Sequence, residues 1–468
     1  MDRENAWKKY SEEDIKAVFD FSEGYKDFLT KCKTEREAAD FVAAEIEAAG
    51  YRNLDKLIEE KTPLRPGDRV YANNMGKGIA MYIIGSEPIE SGMNILGAHI
   101  DSPRLDLKQN PLYEDTDLAL FETHYYGGIK KYQWTTRPMA LHGVFCKEDG
   151  TTVKVSVGED PGDPVLGVSD LLIHLADKQM QKKASVVVEG EDLNVLVGSM
   201  PLETEGEEGK DEEKEPVKAM ILKILKEKYG VEDADFESAE LEIVPAGPAR
   251  DYGLDRSMIM SYGHDDRVCA YPSYKAMLEI EGTPERTCVC LLVDKEEIGS
   301  VGATGMHSKF FETETAEVMN LCGEYSELGL RRAFRNSKML SSDVSAAFDP
   351  NYPSVMEKNN CAYLGRGPVF CKYTGSRGKS GSNDANAEYI AKLRAIFNAD
   401  NVSYQTGELG KVDIGGGGTI AYILANYGMD VIDSGVAVLN MHAPNEIISK
   451  ADIYEALRGY VSFLKNMK

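Results

Sequence analysis

Short runs of apolar residues that end in small or charged residues recur along the chain. Three of them are GKGIAMYIIGS, SGMNILGAHIDS and CVCLLVDKEEIGSVGATG, the last of which extends from Cys288 to Gly305. Uninterrupted apolar runs of this length are typical of strands that are buried on both faces of a parallel sheet. Apolar residues at helical spacing predict two helices between Ser11 and Gly50, and strand and helix patterns alternate again from Arg256 onward. The pattern therefore predicts an α/β fold with a central, mostly parallel sheet flanked by helices.

The pattern changes between residues 106 and 248. TTVKVSVGED and KASVVVEG alternate apolar and polar residues, as strands with one exposed face do. A chain of 468 residues is also too long for one ordinary hydrophobic core. We therefore predict a catalytic α/β domain formed by residues 1–105 and 249–468, with a β-rich domain inserted at residues 106–248.

The apolar run that begins at Cys288 ends in a cluster of acidic residues, Asp294, Glu296 and Glu297, followed by a Gly-rich turn. Ligands of open α/β sheets bind at the carboxyl ends of the strands. Two adjacent glutamates at such a place can divide the chemistry, because one can bind a metal ion while the other accepts a proton from metal-bound water. A solvated turn with outward-facing charges is the alternative. Other possible metal ligands elsewhere in the chain distinguish the two interpretations.

A second apolar run ends in His99-Ile100-Asp101. Positions i and i+2 of a strand point to the same side, so His99 and Asp101 can face one pocket. A histidine that binds a metal ion needs an acceptor for its other ring nitrogen, and a nearby carboxylate provides one. Further acidic and histidine residues lie beside other predicted strand ends or turns: Asp265 and Asp266 before Arg267, Asp343 in SSDVSAAFDPNY, and His442 in GVAVLNMHAPNE.

Each of these residues also has an ordinary structural explanation. One of the aspartates at 265 and 266 is expected to cap the helix that follows. Asp343 alone would be a turn residue, and His442 alone would be a core histidine. Together, however, they form a set of nitrogen and oxygen donors that suits two zinc ions sharing a bridging carboxylate.

In this order, the motifs resemble those of the aspartyl aminopeptidase family of metallopeptidases. The resemblance covers most of the chain and rests on the segments GAHIDSPRLDLK, DLLIHLADKQ, DDRVCAY, DKEEIGS, SSDVSAAFDPNYP, SGSNDANAE and NMHAPNE. It implies a zinc exopeptidase fold, the release of N-terminal residues from peptides, and two divalent metal ions. Zinc is favoured, although manganese and cobalt accept the same ligands.

The resemblance also implies a role for each motif residue. Five residues would bind metal: His99 and Asp343 at one ion, Glu297 and His442 at the other, and Asp265 as the bridge. The Asp-x-Arg spacing favours Asp265 over Asp266 as the bridge, although a shift of one residue remains open. Glu296 resembles the general base, and Asp101 resembles the residue that orients the metal-bound histidine.

Substrate recognition is implied by the resemblance as well. His174, in LLIHLADKQ, resembles a family histidine that supports the substrate near the metals, and a histidine on the face of a mixed helix is the alternative. A preference for N-terminal Asp or Glu requires a cation, and the candidates in FCKYTGSRGKSGSN are Lys372, Arg377 and Lys379. Some relatives favour neutral residues such as Leu, so a broader aminopeptidase is the alternative. Relatives often carry a histidine before Pro-Asn-Tyr, in a loop that reaches a neighbouring subunit's site, where this chain has Asp349.

The charge of the chain limits its partners. It has 53 basic and 78 acidic residues, which give a net charge of −25 at pH 7. This surplus argues against binding to nucleic acid or to an anionic membrane surface. No run approaches the ~20 apolar residues of a membrane span, and the N-terminal segment has no apolar signal-peptide core. The eight cysteines are scattered, and several lie in apolar runs, which predicts reduced, buried thiols in a cytoplasmic protein.

Assembly and alternative functions complete the interpretation. Relatives form tetrahedral dodecamers that enclose their active sites, so the resemblance implies a homo-dodecamer in which the inserted domain supplies contacts. A charged run at residues 203–215 predicts a solvated loop. A carboxypeptidase or N-deacylase on the same scaffold, a phosphoesterase and a non-catalytic scaffold protein are the other hypotheses. The intact pair of glutamates at 296 and 297 argues against the scaffold protein.

Overall fold

The computed structural model describes residues 4–203 and 214–468, which divide into two compact units. Unit 1 comprises the described chain up to Ser102, Ala249–Met441 and Glu446–Lys468, and unit 2 comprises the described parts of Pro103–Pro248 together with His442–Asn445. The sequence interpretation places the boundaries at 105/106 and 248/249 and assigns residues 442–445 to the catalytic domain. The charged run at 203–215 lies mostly outside the described residues.

The described residues contain eleven α-helices: α1 (Glu12–Lys31), α2 (Glu35–Ala48), α3 (Leu54–Glu60), α4 (Asp177–Met180), α5 (Pro216–Tyr229), α6 (His264–Leu278), α7 (Phe310–Leu321), α8 (Glu327–Asn336), α9 (Ala387–Ala399), α10 (Ala421–Ala425) and α11 (Lys450–Asn466). The first two begin with capping boxes, formed by Ser11 with Asp14 and by Thr34 with Glu37. These reciprocal bonds satisfy backbone N–H groups that the start of a helix leaves without intrahelical partners. The two helices predicted before Gly50 are confirmed.

The same residues contain twenty β-strands: β1 (Arg52–Asn53), β2 (Arg69–Asn73), β3 (Ile79–Ile83), β4 (Met93–His99), β5 (Arg104–Asp115), β6 (Leu118–Tyr126), β7 (Met139–Cys146), β8 (Thr152–Val157), β9 (Val195–Gly198), β10 (Ala239–Pro245), β11 (Arg250–Tyr252), β12 (Met258–Ser261), β13 (Thr287–Val293), β14 (Lys338–Ser341), β15 (Ser345–Ala346), β16 (Val369–Cys371), β17 (Gln405–Thr406), β18 (Asp430–Gly435), β19 (Ala437–Leu439) and β20 (Glu446–Ser449).

The largest sheet of unit 1 has nine strands in the order β1-β2-β3-β13-β4-β14-β18-β16-β17. The four strands at its centre, β13, β4, β14 and β18, are mutually parallel, and antiparallel pairs occur only towards the sides of this sheet. Successive residues of the central strands point to opposite faces and are buried on both. The predicted α/β fold with a central, mostly parallel sheet is therefore confirmed.

Two hydrophobic cores cover the two faces of this sheet. Residues of α1, α2, α6, α9 and α11 pack on one face, against Leu96 and Ala98 of β4 and the neighbouring strands. Residues of α3, α7, α8 and α10 pack on the other, against Ile95 and its neighbours. Cys288 and Cys290 belong to the first core, so they share a face as the alternation of β13 predicts, and all eight cysteines are free thiols.

The parallel strands bring their carboxyl ends to one edge of the sheet. Val293 of β13 lies opposite His99 of β4, and Ser341 of β14 lies opposite Gly97. The segments that leave these strands therefore begin side by side, and they carry the acidic residues that the sequence singles out. A second sheet of unit 1, in the order β11-β12-β20-β19-β15, pairs β12 with β20 just before α6.

Unit 2 is built around a six-stranded antiparallel sheet in the order β8-β7-β10-β5-β6-β9. TTVKVSVGED forms β8, as predicted. KASVVVEG does not form a strand: its residues make 3₁₀ turns at Ala184–Val186 and Gly190–Asp192. Val188 is buried but Val186 is 46% exposed, so the valines of this segment do not share one buried face. Within the described residues, no helix combines the length and the apolar character that crossing a membrane requires.

Candidate active site

His99 lies at the carboxyl end of β4 and is almost completely buried. Its Nδ1 is 3.0 Å from the carbonyl oxygen and 3.2 Å from Oδ1 of Asp101. Its Nε2 is 3.2 Å from Oδ1 of Asp265, 3.9 Å from Oε2 of Glu296 and 4.0 Å from Oδ1 of Asp343. Oxygen acceptors around Nδ1 hold a proton there, which leaves Nε2 as the nitrogen that a metal ion would take in place of a proton.

Among the described residues, three groups of side chains bring possible ligand atoms within 4.8 Å of one another: His99 with Glu296 and Asp343, His99 with Asp265 and Glu297, and Asp265 with Asp266 and Asp343. Imidazole nitrogen and carboxylate oxygen are the donors that zinc and related divalent ions accept. The groups share members, so the donors form one continuous cluster rather than separate sites. The structure therefore brings together five residues predicted to act at the metals, with Asp266 beside them.

The electrostatics of the cluster also favour a cation. Burial, together with the neighbouring Glu296, raises the pKa of Asp343 well above its ordinary value, and burial does the same to the pKa of Asp266. Burial would lower the pKa of His99, but hydrogen bonds with Asp101 and Asp265 outweigh it, so that this pKa is raised. Oδ1 of Asp266 has no hydrogen-bond partner among the described residues. Divalent ions would offset this concentration of buried negative charge, so the residues present fit metal binding.

Asp101 contacts two parts of this donor cluster, His99 and the pair of glutamates. Besides facing His99, its two carboxylate oxygens accept the backbone N–H groups of Glu296, at 3.1 Å, and of Glu297, at 3.2 Å. Sequence reasoning predicts the contact with the histidine but misses the contact with the glutamates. The segment also depends on Lys295, whose φ of 67° is in the left-handed region, and on Asp294, which accepts a 2.5 Å hydrogen bond from Thr304. These bonds fix the turn that presents the glutamates.

Asp265 and Asp266 begin α6 but differ in their surroundings. Asp265 faces Nε2 of His99, whereas Oδ2 of Asp266 accepts the backbone N–H of His99 at 3.3 Å. Neither residue has helical backbone angles, with φ −79° and ψ 108° at Asp265 and φ −113° and ψ 25° at Asp266, so a kink separates the start of the span, after Gly263, from the continuous helix; the predicted cap stays a prediction. Gly263 has a φ of 77°, and a Cβ there would lie 2.2 Å from the guanidinium of Arg267. That guanidinium donates to the carbonyl oxygens of Ile100 and Lys33, so a close approach requires glycine.

Two predicted site residues lie in unit 2. His442 has a φ of 63°, and its Nδ1 is 2.7 Å from the carbonyl oxygen of Gly128. This contact assigns the ring's proton to Nδ1 and its lone pair to Nε2, as a metal ligand requires. His174 is exposed in a 3₁₀ turn, Ile173–Leu175, rather than on the face of a helix, and Leu172, Ile173 and Leu175 beside it are 54–70% exposed.

The three candidate cations for substrate recognition follow β16 and are all exposed. Nζ of Lys372 lies 3.9 Å and Nζ of Lys379 lies 3.3 Å from the carboxylate of Asp384. Lys379 also stacks on the ring of Tyr373, with Nζ 3.8 Å from the centroid. Arg377 has no carboxylate within 4.0 Å among the described residues, and it lines a small cavity of about 40 Å³.

The Gly-rich run at 415–418 packs against this loop. A Cβ on Gly415 would lie 1.6 Å from the carbonyl oxygen of Leu409, and one on Gly416 would lie 2.1 Å from that of Gly375. A side chain at either position would therefore collide with backbone, so the close approach of these segments requires glycine at both. Thr419, which follows, donates a 2.5 Å hydrogen bond to Asp433 on β18. Burial raises the pKa of Asp433 to about 7. Sequence reasoning misses this residue, although it ends an apolar run as the other acidic residues do.

Comparisons with known proteins identify the family of this chain. A family model described as aminopeptidase I zinc metalloprotease (M18) matches residues 28–464. A probable M18 family aminopeptidase 1 of Clostridium acetobutylicum is 64% identical over 462 residues, which are 99% of this chain and 98% of that protein. The crystal structure of an M18 aminopeptidase from Thermotoga maritima has a TM-score of 0.93 at 42% identity and full coverage of both chains.

The fold extends to more distant proteins. A structure of the S. cerevisiae mApe1 dodecamer has a TM-score of 0.76 at 19% identity, covering 95% of this chain and 96% of that one. This likeness concerns the fold alone. The family model and the two closer relatives, by contrast, span nearly the whole chain and confirm the resemblance read from the motifs. The chain belongs to the M18 family of aminopeptidase I zinc metalloproteases.

Proposed function

We propose that this chain is a two-metal aminopeptidase in which Glu296 is the general base. The observation that carries the proposal is the position of Glu296, whose Oε2 lies 3.9 Å from Nε2 of His99 while its side chain remains 16% exposed. His99 and Asp265 are buried almost completely by comparison. A carboxylate that meets both the donor cluster and solvent is suited to take a proton from water.

The metal ligands of this proposal are His99 and Asp343 at one ion, Glu297 and His442 at the other, and Asp265 between them. Bound divalent ions would acidify water and polarise the scissile carbonyl. The asymmetric surroundings of the two adjacent aspartates support Asp265 as the bridge, since its carboxylate faces Nε2 of His99 and Asp266 is engaged by a backbone N–H. Zinc is favoured by the family.

The protein's own groups then carry the proton and the geometry. Glu296 accepts a proton from the attacking water at its carboxylate and later delivers it to the leaving amine. Asp101 holds the backbone of Glu296 and the ring of His99 at once, so the base and a ligand keep a fixed separation. Pre-set geometry of this kind lowers the entropic part of the barrier.

Release of N-terminal residues requires recognition of a free amino group. A bound divalent ion would offer a ligand position to the free α-amino group of a peptide, and acetylation removes the lone pair that the amine would donate. We expect acetylated peptides to be cleaved at least about 100-fold more slowly than free ones. EDTA should abolish turnover, and zinc, manganese or cobalt should restore it. Equal cleavage of acetylated and free peptides would instead favour a carboxypeptidase or N-deacylase.

A preference for Asp or Glu as the first residue is the finer part of the proposal. Arg377 is the strongest candidate of the three cations, because Lys372 and Lys379 share the carboxylate of Asp384. The small cavity beside Arg377 also contains Glu408, which would oppose an acidic side chain. A broader aminopeptidase that accepts neutral residues therefore remains the competing proposal. His174 would support the bound substrate.

Self-assembly is also proposed, up to a homo-dodecamer. Its support is the exposure of Leu171, Leu172, Ile173, Leu175 and Met180 in unit 2, each at least 54% exposed. The mApe1 structure of similar fold is a dodecamer. The carboxylate of Asp349 accepts a hydrogen bond from the backbone N–H of Asn351 at 2.8 Å, and this contact supports a role for Asp349 in stabilising the turn. A monodisperse, fully active monomer in light scattering at micromolar concentration would contradict assembly. The free thiols support a cytoplasmic location.

A further inference from the structure

Glu446 is the first residue of β20 and the first residue of unit 1 after the segment His442–Asn445. Its side chain is 2% exposed, and its Oε2 accepts the backbone N–H of Asp265 at 3.0 Å. β20 pairs with β12 so that Glu446 lies opposite Ser261. The segment from Ser261 to Asp265 is therefore held at both ends: strand pairing fixes Ser261, and the carboxylate of Glu446 binds the N–H of Asp265 after the turn at Gly263.

The backbone of Asp265 is held on its other side as well. Oγ of Ser102, which is fully buried, donates a 2.6 Å hydrogen bond to the carbonyl oxygen of Asp265. The residue's N–H and C=O are thus both anchored, by side chains from two different parts of unit 1. An anchored backbone limits the directions that the short side chain can take, and in this structure its Oδ1 points to Nε2 of His99 at 3.2 Å.

We propose that Glu446 is a positioning residue that aims Asp265 at the metal site. The proposal rests on the bridging role of Asp265 given above. Removing the acceptor would leave a buried N–H without its partner, and the turn that carries Asp265 would shift to recover a hydrogen bond. Because outer hydrogen bonds of this kind tune metal affinity, the effect should reach the ions although Glu446 is not itself a ligand.

Unit 1 offers a matched control in Glu455. This glutamate is also fully buried, and its Oε2 accepts a backbone N–H, that of Ser403, at 2.5 Å. It lies on α11 and belongs to none of the three groups of possible metal ligands found among the described residues. Glu446→Ala and Glu455→Ala therefore remove the same chemical group from equally buried places, and only the first has a backbone bond to a proposed ligand.

The experiment compares zinc and manganese affinity, measured by competition with a chelating dye, in the full-length protein. We expect Glu446→Ala to weaken metal binding about 10–100-fold and to lower kcat more than it raises KM. Glu446→Gln keeps a carbonyl oxygen for the N–H and should stay within about 3-fold of the wild type. Glu455→Ala should leave metal affinity unchanged, even if it lowers the melting temperature of the metal-free protein by as much as Glu446→Ala does.

The outcomes separate this proposal from the one on which it rests. Unchanged metal affinity in Glu446→Ala, or an equal loss in Glu455→Ala, would overturn the positioning role. Equal losses in Glu446→Gln and Glu446→Ala would overturn it too, because the hydrogen-bond acceptor would then not be what matters. Full metal content and activity in Asp265→Asn would instead overturn the bridging role itself.

Discussion

Two groups of buried carboxylates in unit 1 have different surroundings. On α11, Asp452 accepts the backbone N–H groups of Gly365 and Gly367, at 2.8 and 2.6 Å, and its neighbour Glu455 also accepts a backbone N–H. At the sheet edge, by contrast, carboxylate oxygens of Asp265, Asp266 and Asp343 lie within 4.8 Å of one another. The carboxylates of the first group accept hydrogen bonds from backbone N–H groups, whereas the carboxylate oxygens of the second group point toward one another.

The difference separates a structural use of buried acid from a functional one. Backbone donors stabilise a carboxylate without any ligand, so the α11 group can anchor loops and nothing else is required of it. Converging carboxylates repel one another unless a proton or a metal ion lies between them. Burial alone therefore does not identify the site; the direction of the oxygen atoms does.

The largest effect is expected at the second group, when the proposed base is changed and the proposed metal ligands are kept. Glu296→Gln should leave the metal content intact and lower kcat about 10²–10⁴-fold, the usual range for the loss of a general base. Metal analysis together with steady-state kinetics on a free N-terminal substrate measures both quantities. Glu297→Gln is the matched control and should lose metal. If the two variants behave the other way round, the roles of the adjacent glutamates are reversed.

A smaller loss is expected at Asp101, whose carboxylate accepts backbone N–H groups as the α11 group does but also faces His99 of the second group. Asp101→Asn keeps one oxygen but cannot accept both backbone N–H groups of the glutamates while it faces His99. Metal affinity should fall about 10–100-fold, as for other losses of a ligand-orienting carboxylate. Isothermal titration of the metal-free protein with zinc measures it. Affinity equal to that of the wild type would show that the histidine is oriented by the carbonyl oxygen of residue 101 alone.

The α11 group can be tested through the pH dependence of stability. Burial raises the pKa of Asp452 to about 7, whereas its pKa in an unfolded chain is near 4. The folded protein therefore holds this proton more tightly, so the stabilisation is present in full below about pH 4 and is lost as the pH rises through about 7. Asp452→Asn mimics the protonated form at every pH.

The expected result is a pH-dependent gain of the variant over the wild type. At pH 4 the wild-type carboxyl is protonated as well, so Asp452→Asn should change the free energy of unfolding little; by pH 8 the variant should have gained at least about 1 kcal/mol relative to the wild type. Urea unfolding followed across this range measures the change. Curves for the variant and the wild type that stay parallel would show that Asp452 does not titrate between these values.

The strand ends of this fold could be predicted because the pattern that marks each one lies within a short segment of the sequence. One short segment contains both the apolar strand and the polar residue at its end, as in the run that ends at His99 and the run from Cys288 to Val293 that precedes Glu296 by three residues. Parallel packing then brings such ends together without further information. The same local logic failed at KASVVVEG, where alternation suggested a strand but tertiary packing buries only part of the segment.

The supporting residues could not be predicted in this way. Glu446 and Ser102 contact Asp265 from 181 and 163 positions away in the sequence. They lie in the motif segments NMHAPNE and GAHIDSPRLDLK, but nothing in those segments assigns either of them a contact with Asp265. Their function depends on a register between β12 and β20 and on where β4 ends. Sequence periodicity predicts which face of a strand is buried, but it does not predict which distant backbone group a buried carboxylate will meet.

The smallest expected effect is that of Arg377 on substrate preference. It tests whether the enzyme prefers an acidic first residue to a neutral one. Arg377 is exposed, so a pair with a substrate carboxylate would remain partly solvated and contribute about 1 kcal/mol, or roughly 5-fold in kcat/KM. Arg377→Ala should lower the ratio of kcat/KM for Asp- over Leu-leading peptides by about that factor, with little change for Leu or Ala. Lys379→Ala is the matched control: Asp384 already neutralises that cation, so the ratio should hardly move. A wild-type preference for Leu that neither variant alters would establish a broader aminopeptidase on the same metal site.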